Sequence, residues 1–329
     1  MKMNSNFLRL LVAGSALVVG STGASAQVFT AGDLVVTTYG SLTGPAVTDG
    51  ITPITLQEYA LPTATSASLV FSDQLPTTGT NGNVGIVGED GSSSEGTLQL
   101  SGNGQYLTIG GYDGNAAANG IQNASNQANG TNFAPGTAWG ANTIALGQSA
   151  SVDVPRIAAT IDANGNVNTS TVLNDVYNTN NPRSVYSPDG TSFYISGQGA
   201  GTGDEGGIYQ TKVGTNTTTG GSAPTPIFNS VSTRTVTQAN VNAATGTSSS
   251  TPNTYFSADQ NSNKKGTLTG IFEYSGSPTG SEGSNTGTRI TPASGTVNGK
   301  TVNFSPEGFV FANATTLYVA DTGDPKAGG

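Results

Sequence analysis

Three stretches of this 329-residue chain follow one strand–turn–strand plan. Thr97-Leu-Gln-Leu-Ser-Gly-Asn-Gly104 leads into Tyr106-Leu-Thr-Ile109, Val185-Tyr-Ser-Pro-Asp-Gly190 leads into Phe193-Tyr-Ile195, and Phe309-Val-Phe-Ala-Asn-Ala314 leads into Leu317-Tyr-Val319. Each is a short alternating apolar run, a tight turn and a second β-branched or aromatic run, the pattern of a β-hairpin. Beyond residue 26, no window sustains apolar residues at i, i+3, i+4 and i+7, so helices have little to build on. Val, Ile, Leu, Phe and Tyr instead arrive in short runs. Turn signals such as Asp113-Gly114, Asn164-Gly165, Asp189-Gly190 and Asn298-Gly299 separate them. The chain is expected to be all-β.

Recurrence of one unit narrows the architecture. The turns at Gly104, Gly190 and Ala314 are compatible with a repeat of about 42 residues, two in the first interval and three in the second. That is the size of a four-stranded antiparallel blade of a β-propeller. A β-sandwich has no need of recurring Ser-Pro-Asp-Gly hairpins, and a parallel β-helix repeats over a much shorter period. Residues 116–142, 215–223 and 279–298 are rich in Asn, Gly, Ser and Thr and read as loops within one domain, 27–329. About five blades are visible, fewer than the six to eight that commonly close a ring. The expectation is therefore an N-terminal piece of a larger ring, incomplete at its C-terminal end.

Residues 1–26 read as a signal peptide. Lys2 and Arg9 precede the apolar run Leu10–Val19, which is too short to span a bilayer, and Ala24-Ser-Ala26 supplies a cleavage site before Gln27. The mature protein is expected in the periplasm, at the cell surface or outside the cell, with no transmembrane segment in this chain. With 11 Lys and Arg against 20 Asp and Glu, the net charge is −9, and no basic run is present to grip a phosphate backbone. Nucleic acid is not an expected partner. There is no cysteine and no histidine. Disulfides, thiol nucleophiles, imidazole bases and imidazole metal ligands are all excluded, so any hydrolysis needs a carboxylate base or metal-bound water.

Ser187-Pro-Asp-Gly-Thr-Ser-Phe-Tyr-Ile195 resembles the core of YVTN, TolB and lactonase-like propeller repeats. Thr316-Leu-Tyr-Val-Ala-Asp-Thr-Gly323 is similar to a strand of NHL and gluconolactonase-type propellers. Phe29–Val36, Ile54–Tyr59, Glu95–Leu100 and Tyr106–Tyr112 together resemble a group of exported bacterial propeller proteins. Gluconolactonase-type propellers hold calcium with Glu, Asn and Asp at a central channel. The resemblance implies that Asn181, before Pro182-Arg183, and Glu307, after Ser305-Pro306, face such a channel. Calcium is thus a possible ligand, although no cofactor is predicted from the residues themselves.

The other candidate sites are local. Asp204-Glu205 in the glycine-rich segment 197–207 offers carboxylates for calcium, or simply a solvated hairpin loop; no EF-hand spacing is present. Glu89-Asp90 with Glu95, and Asp321 with Asp324, read as turn-forming or solubilising acids; as metal ligands they would need oxygen donors assembled from different blades. Trp139, the only tryptophan, lies in a long polar insertion, where it serves either as a binding anchor or as packing against the sheets. No catalytic residue is identified. The sequence favours an exported, non-enzymatic propeller module binding a cell-envelope polysaccharide or a surface protein. A calcium-dependent lactonase- or esterase-like hydrolase and a structural surface-layer component are the alternatives.

Overall fold

Asx turns and positive-φ glycines set the hairpin corners, and Thr, Val, Ile, Tyr and Phe fill the strands between them. A computed structural model describes residues 29–39, 50–63, 66–90, 95–119, 146–199, 206–229, 232–258, 269–278, 287–292, 294–297 and 299–321. The signal segment 1–26, Trp139 and Asp204-Glu205 lie outside these residues. The described chain is all-β, apart from one six-residue helix, α1 (Gly114–Asn119), and two single turns of 3-10 helix.

Strands β1 (Leu34–Tyr39), β2 (Gly50–Thr63) and β3 (Ser66–Gln74) form an antiparallel meander. The first four residues of β2 instead pair with β4 (Ile86–Asp90), which joins this meander to the next sheet. That sheet is β5 (Gln99–Leu100), β6 (Tyr106–Asp113), β7 (Arg156–Asp162) and β8 (Val167–Leu173), each antiparallel to the one before. A four-stranded meander follows, made of β9 (Pro182–Tyr186), β10 (Ser192–Gly197), β11 (Gly207–Lys212) and β12 (Thr225–Asn229). Another comprises β13 (Thr233–Asn242), β14 (Thr247–Ala258), β15 (Gly270–Tyr274) and β16 (Thr288–Arg289). Two hairpins complete the set: β17 (Ser294–Val297) with β18 (Lys300–Asn303), and β19 (Pro306–Asn313) with β20 (Thr316–Asp321).

All three cassettes are hairpins: β5–β6, β9–β10 and β19–β20. The 42-residue spacing is not what separates them. Among the described residues only the strands β7 and β8 lie between the first and second cassettes, not a further four-stranded unit, and the first strands begin at Gln99, Pro182, Thr233 and Pro306. Long connections, such as the one between β6 and β7, stretch the units unequally. Residues 279–298, expected to be a loop, include β16 and β17. Between residues 215 and 223 the chain is indeed a connection, turned by Asn216, whose side chain accepts from the Thr218 amide at 3.0 Å.

The second cassette shows how sequence makes the corner. Gly190 N donates to Ser187 Oγ at 2.8 Å, and Asp189 Oδ1 accepts from the amide and hydroxyl of Thr191 at 2.8 and 2.9 Å. Desolvation pushes the Asp189 carboxyl up, but these donors and the Ser192 amide outweigh it and hold the group below its usual range. Gly190 has φ +85°, and a Cβ there would lie 2.3 Å from the Tyr106 ring of the first cassette. Neighbouring cassettes thus dock through their turns. Asn103 Nδ2 donates to Asp189 O and Gly102 N to Ser187 O, both at 2.8 Å.

Each sheet-to-sheet interface has its own core. Ile54, Leu56, Leu75, Ile86, Ile109 and Ile161 close the first against the second. Ala158, Leu173, Tyr177, Val185, Phe193 and Tyr209 pack the second against the third, and Tyr194, Phe228, Val236, Phe256 and Phe272 the third against the fourth. Phe228 and Phe256 meet at 4.4 Å between ring centroids, and Phe256 and Phe272 at 5.4 Å. At roughly 1.5–3 kcal/mol per buried large side chain, this burial offsets chain entropy without disulfides.

Candidate functional site

The starts of the first strands are stitched to one another by polar side chains. The strands run in the same direction, as the parallel bridge Thr97–Ser184 records for the second and third sheets. Their starting residues therefore collect at one end of the stack. Glu95, just ahead of β5, accepts from Asn181 Nδ2, just ahead of β9. Arg183, inside β9, donates to Ser232 Oγ at 2.8 Å and Thr233 O at 3.3 Å, at the start of β13. Arg234, inside β13, is ion-paired with Glu307 at the start of β19. Thr235 Oγ1 adds a bond to Glu307 O at 2.8 Å.

Glu95 is the most heavily used of these groups. It is 2 % exposed, and its carboxylate also accepts from Tyr112 Oη at 2.5 Å and from the Glu89 amide at 3.2 Å. Glu89, itself buried on β4, accepts from Gly147 N at 2.6 Å. Arg156 lies over the Tyr112 ring, 4.9 Å from its centroid. Its guanidinium is 1 % exposed and donates to Ser149, Val154, Tyr177 and Asn180, mostly to their carbonyls at 2.5 to 2.9 Å. Burial pushes the Tyr112 hydroxyl well above its usual value, and the Glu95 charge pushes it further. Tyr112 therefore stays a protonated donor to the Glu95 carboxyl.

Further in, Gln99 ties three first strands together. Its Nε2 donates to Ser184 Oγ of β9 at 2.5 Å and to Val236 O of β13 at 2.6 Å. One side chain thus reaches two further first strands, and the polar row lies nearer the strand starts.

Of the residues singled out in sequence, Asn181 and Glu307 both lie on this row, but in different contacts. Asn181 meets Glu95, while Glu307 meets Arg234. The guanidinium already occupies the carboxylate on which a cation would be held. Glu89 and Glu95 differ from their expected role as turn acids: both are buried hydrogen-bond acceptors, Glu89 of the Gly147 amide and Glu95 of the Tyr112 hydroxyl. Asp321 caps the last hairpin, accepting from Ser305 N at 3.1 and 3.2 Å. Sequence reasoning passed over Tyr112, Arg156, Arg183 and Arg234. The one available signal was that Arg156, Arg183 and Arg234 each sit at or next to a strand start in an Arg-poor chain. Among the described residues, no group of three or more acidic side chains is placed to hold a metal ion. No helix among them is long and apolar enough to cross a membrane.

No protein-family model, curated protein or solved structure matches the chain.

Proposed function

We propose that this is an exported module of β-propeller type that binds a cell-envelope polysaccharide or a surface protein. Residues 1–26 direct export and are removed before Gln27. The stacked four-stranded sheets are blades of a ring related to the YVTN, TolB and NHL-like repeats. The ligand engages the end of the stack where the first strands begin, together with the polar connections around it. The observation that carries this reading is the convergence of β5, β9 and β13 through Gln99. Successive antiparallel sheets whose first strands are joined in this way suit an arrangement as blades around an axis, and such an end would present loops from several sheets at once. The role is one of binding: Glu95, Arg183, Arg234 and Glu307 are all engaged by neighbouring sheets, which suits them to hold the stack in register.

A direct test combines two measurements. Mass spectrometry of the exported protein should give Gln27 as the first residue, and the purified protein should bind an envelope polysaccharide fraction or a surface protein saturably. Retention of residues 1–26, or no saturable binding to any envelope fraction by folded protein, would sink the proposal.

One contact favours a calcium-dependent, lactonase-like hydrolase as a second reading. Glu95 and Asn181 bring a carboxylate and an amide together from adjacent sheets, the residue types such enzymes use. That role requires the Asn181 amide to turn its oxygen towards the ion. A calcium-dependent rise in melting temperature abolished by Asn181→Ala would support it; no calcium effect on wild type would remove it.

A further inference from the structure

An Asn-Gly pair makes a tight turn, and it also sets a backbone amide with no shielding side chain beside a carboxamide. Three such pairs lie wholly within the described residues: Asn81-Gly82 between β3 and β4, Asn103-Gly104 between β5 and β6, and Asn164-Gly165 between β7 and β8. All three asparagines are exposed. What separates them is how the carboxamide and the glycine amide are held.

At Asn103-Gly104 both groups are engaged. Gly104 N donates to Ser101 O at 2.9 Å. Asn103 Oδ1 accepts from Ser101 Oγ at 2.8 Å and Gln105 N at 3.1 Å, and its Nδ2 donates to Asp189 O at 2.8 Å. At Asn164-Gly165 the backbone is pinned. Gly165 N donates to Asp162 O at 3.0 Å, and Asp162 Oδ1 accepts from the amides of Asn164 and Asn166, both at 2.9 Å. Asn81-Gly82 is different: among the described residues, neither the Asn81 carboxamide nor the Gly82 amide takes a hydrogen bond. Gly82 stands at φ +86° with nothing within 4 Å of where a Cβ would lie, and Asn81 at φ +57°, which costs an L-residue energy. The turn is clamped only at its base. Gly79 N donates to Asn115 Oδ1 at 2.8 Å, and Asn83 Oδ1 accepts from Thr169 N of β8 at 2.9 Å.

We infer that Asn81 is a site of spontaneous covalent modification: deamidation through a cyclic imide, with water as the only co-reactant. The Gly82 nitrogen loses its proton and attacks Asn81 Cγ. The new N–C bond closes the imide, the Cγ–Nδ2 bond breaks, and the carboxamide nitrogen leaves with a proton as ammonia. Water then opens the imide at either carbonyl. Cleavage at Cγ gives aspartate; cleavage at the main-chain carbonyl gives isoaspartate, whose backbone runs through the former side chain. Either way a neutral amide becomes a carboxylate on the exposed turn. To bring the nitrogen to Cγ the turn must leave its two positive φ values, and the bond it gives up is the one from Asn83 N to Thr80 O, at 3.2 Å. The contacts of Gly79 and Asn83 confine that opening to the turn. The inference depends only on the bonding at three turns and stands or falls separately from the ligand proposed above.

The test is a time course on the full-length protein, kept folded in mildly alkaline buffer, where loss of the amide proton is favoured. Digested samples are read by mass spectrometry, with electron-transfer fragmentation to tell isoaspartate from aspartate. Asn81 should convert about tenfold or more faster than Asn103 and Asn164, the factor set by the additional bonds those two turns must break first. In urea the turns are lost and each pair keeps only its Asn-Gly chemistry, so the three rates should come within about threefold of one another. Equal rates in the folded protein, or conversion of Asn103 or Asn164 ahead of Asn81, overturns the inference. So does the same spread of rates in urea, which would place the preference in the flanking residues and not in the turn. No conversion of Asn81 in folded protein, over a time in which the urea-unfolded chain converts fully, also overturns it, since the turn would then be holding Gly82 N away from Cγ.

Discussion

Replacing Glu95 by alanine should unfold the chain more readily than any other single change at the polar row. The side chain is 2 % exposed and accepts three bonds, from Tyr112 Oη, Asn181 Nδ2 and the Glu89 amide. Truncation leaves the Tyr112 hydroxyl, which is 0 % exposed, and the Glu89 amide without this acceptor. An abandoned buried donor costs about 1–3 kcal/mol. Asn181 is better placed to recover, because its Nδ2 also lies 3.4 Å from Tyr112 Oη. Two abandoned donors, with part relief from removing a buried charge, give a loss of about 2–5 kcal/mol. Urea unfolding followed by circular dichroism, with midpoint and slope fitted together, measures this. Tyr112→Phe removes one donor and should cost less alone. In the double variant the two losses should fall short of additive by about 1 kcal/mol or more, since each removes the same bond. A Glu95→Ala loss under about 1 kcal/mol, or strict additivity with Tyr112→Phe, would falsify the claim that this carboxylate holds the second sheet to the third.

Three further outcomes follow from the geometry. Gln99→Leu keeps the volume but removes the bonds to Ser184 and Val236, and should cost about 1–3 kcal/mol in the same urea assay; a neutral effect would mean that the three strands converge without it. Gly190→Ala forces a side chain onto a φ of +85° and into the Tyr106 ring, so a loss of about 2 kcal/mol or more is expected, with Gly104→Ala, which meets nothing within 4 Å, costing less. Asp113 supplies the pH test. Burial raises its carboxyl above the ordinary 3.8, against amide donors from Ala116 and Asn115. A raised folded value stabilises most below pH 3.8, and that contribution is lost as pH rises through the folded value. Asp113→Asn keeps an acceptor for these amides but cannot ionise, so its stability relative to wild type should climb across that window; a difference independent of pH from 3 to 7 would contradict the assignment.

How much could be read in advance varied with the kind of interaction. Hairpin corners were legible because their chemistry is local: Ser187 accepts from the Gly190 amide and Asp189 from that of Thr191, all within one turn. Strands rich in Thr, Ser and Asn were harder. Strands β8 (Val167-Asn-Thr-Ser-Thr-Val-Leu173) and β13 (Thr233-Arg-Thr-Val-Thr-Gln-Ala-Asn-Val-Asn242) carry too few apolar residues to register as alternating runs. Their threonines are nonetheless β-branched, and Thr171, Thr233 and Thr235 are buried against neighbouring sheets. The described first strands begin at unequal intervals for a related reason. Pairing fixes the length of strands, but nothing fixes the length of the connections between them.

Asn181 and Glu307 were legible as strand starts, since a proline beside each marks the boundary. Their partners were not. Glu95 and Asn181 are separated by 86 residues, and Arg234 and Glu307 by 73. An acid in a polar loop reads alike whether it faces water or a buried tyrosine.

By itself, then, the sequence determined the secondary structure class and the sites of the tight turns, because both depend on torsional preference and bonding over a few residues. It also determined which chemistries are absent, since a chain without histidine or cysteine cannot use them. Only the tertiary structure decided which polar groups are buried, which strands are covered, and which charges meet. Those depend on the stacking of one sheet upon the next, where burial turns an ordinary glutamate into a structural tie.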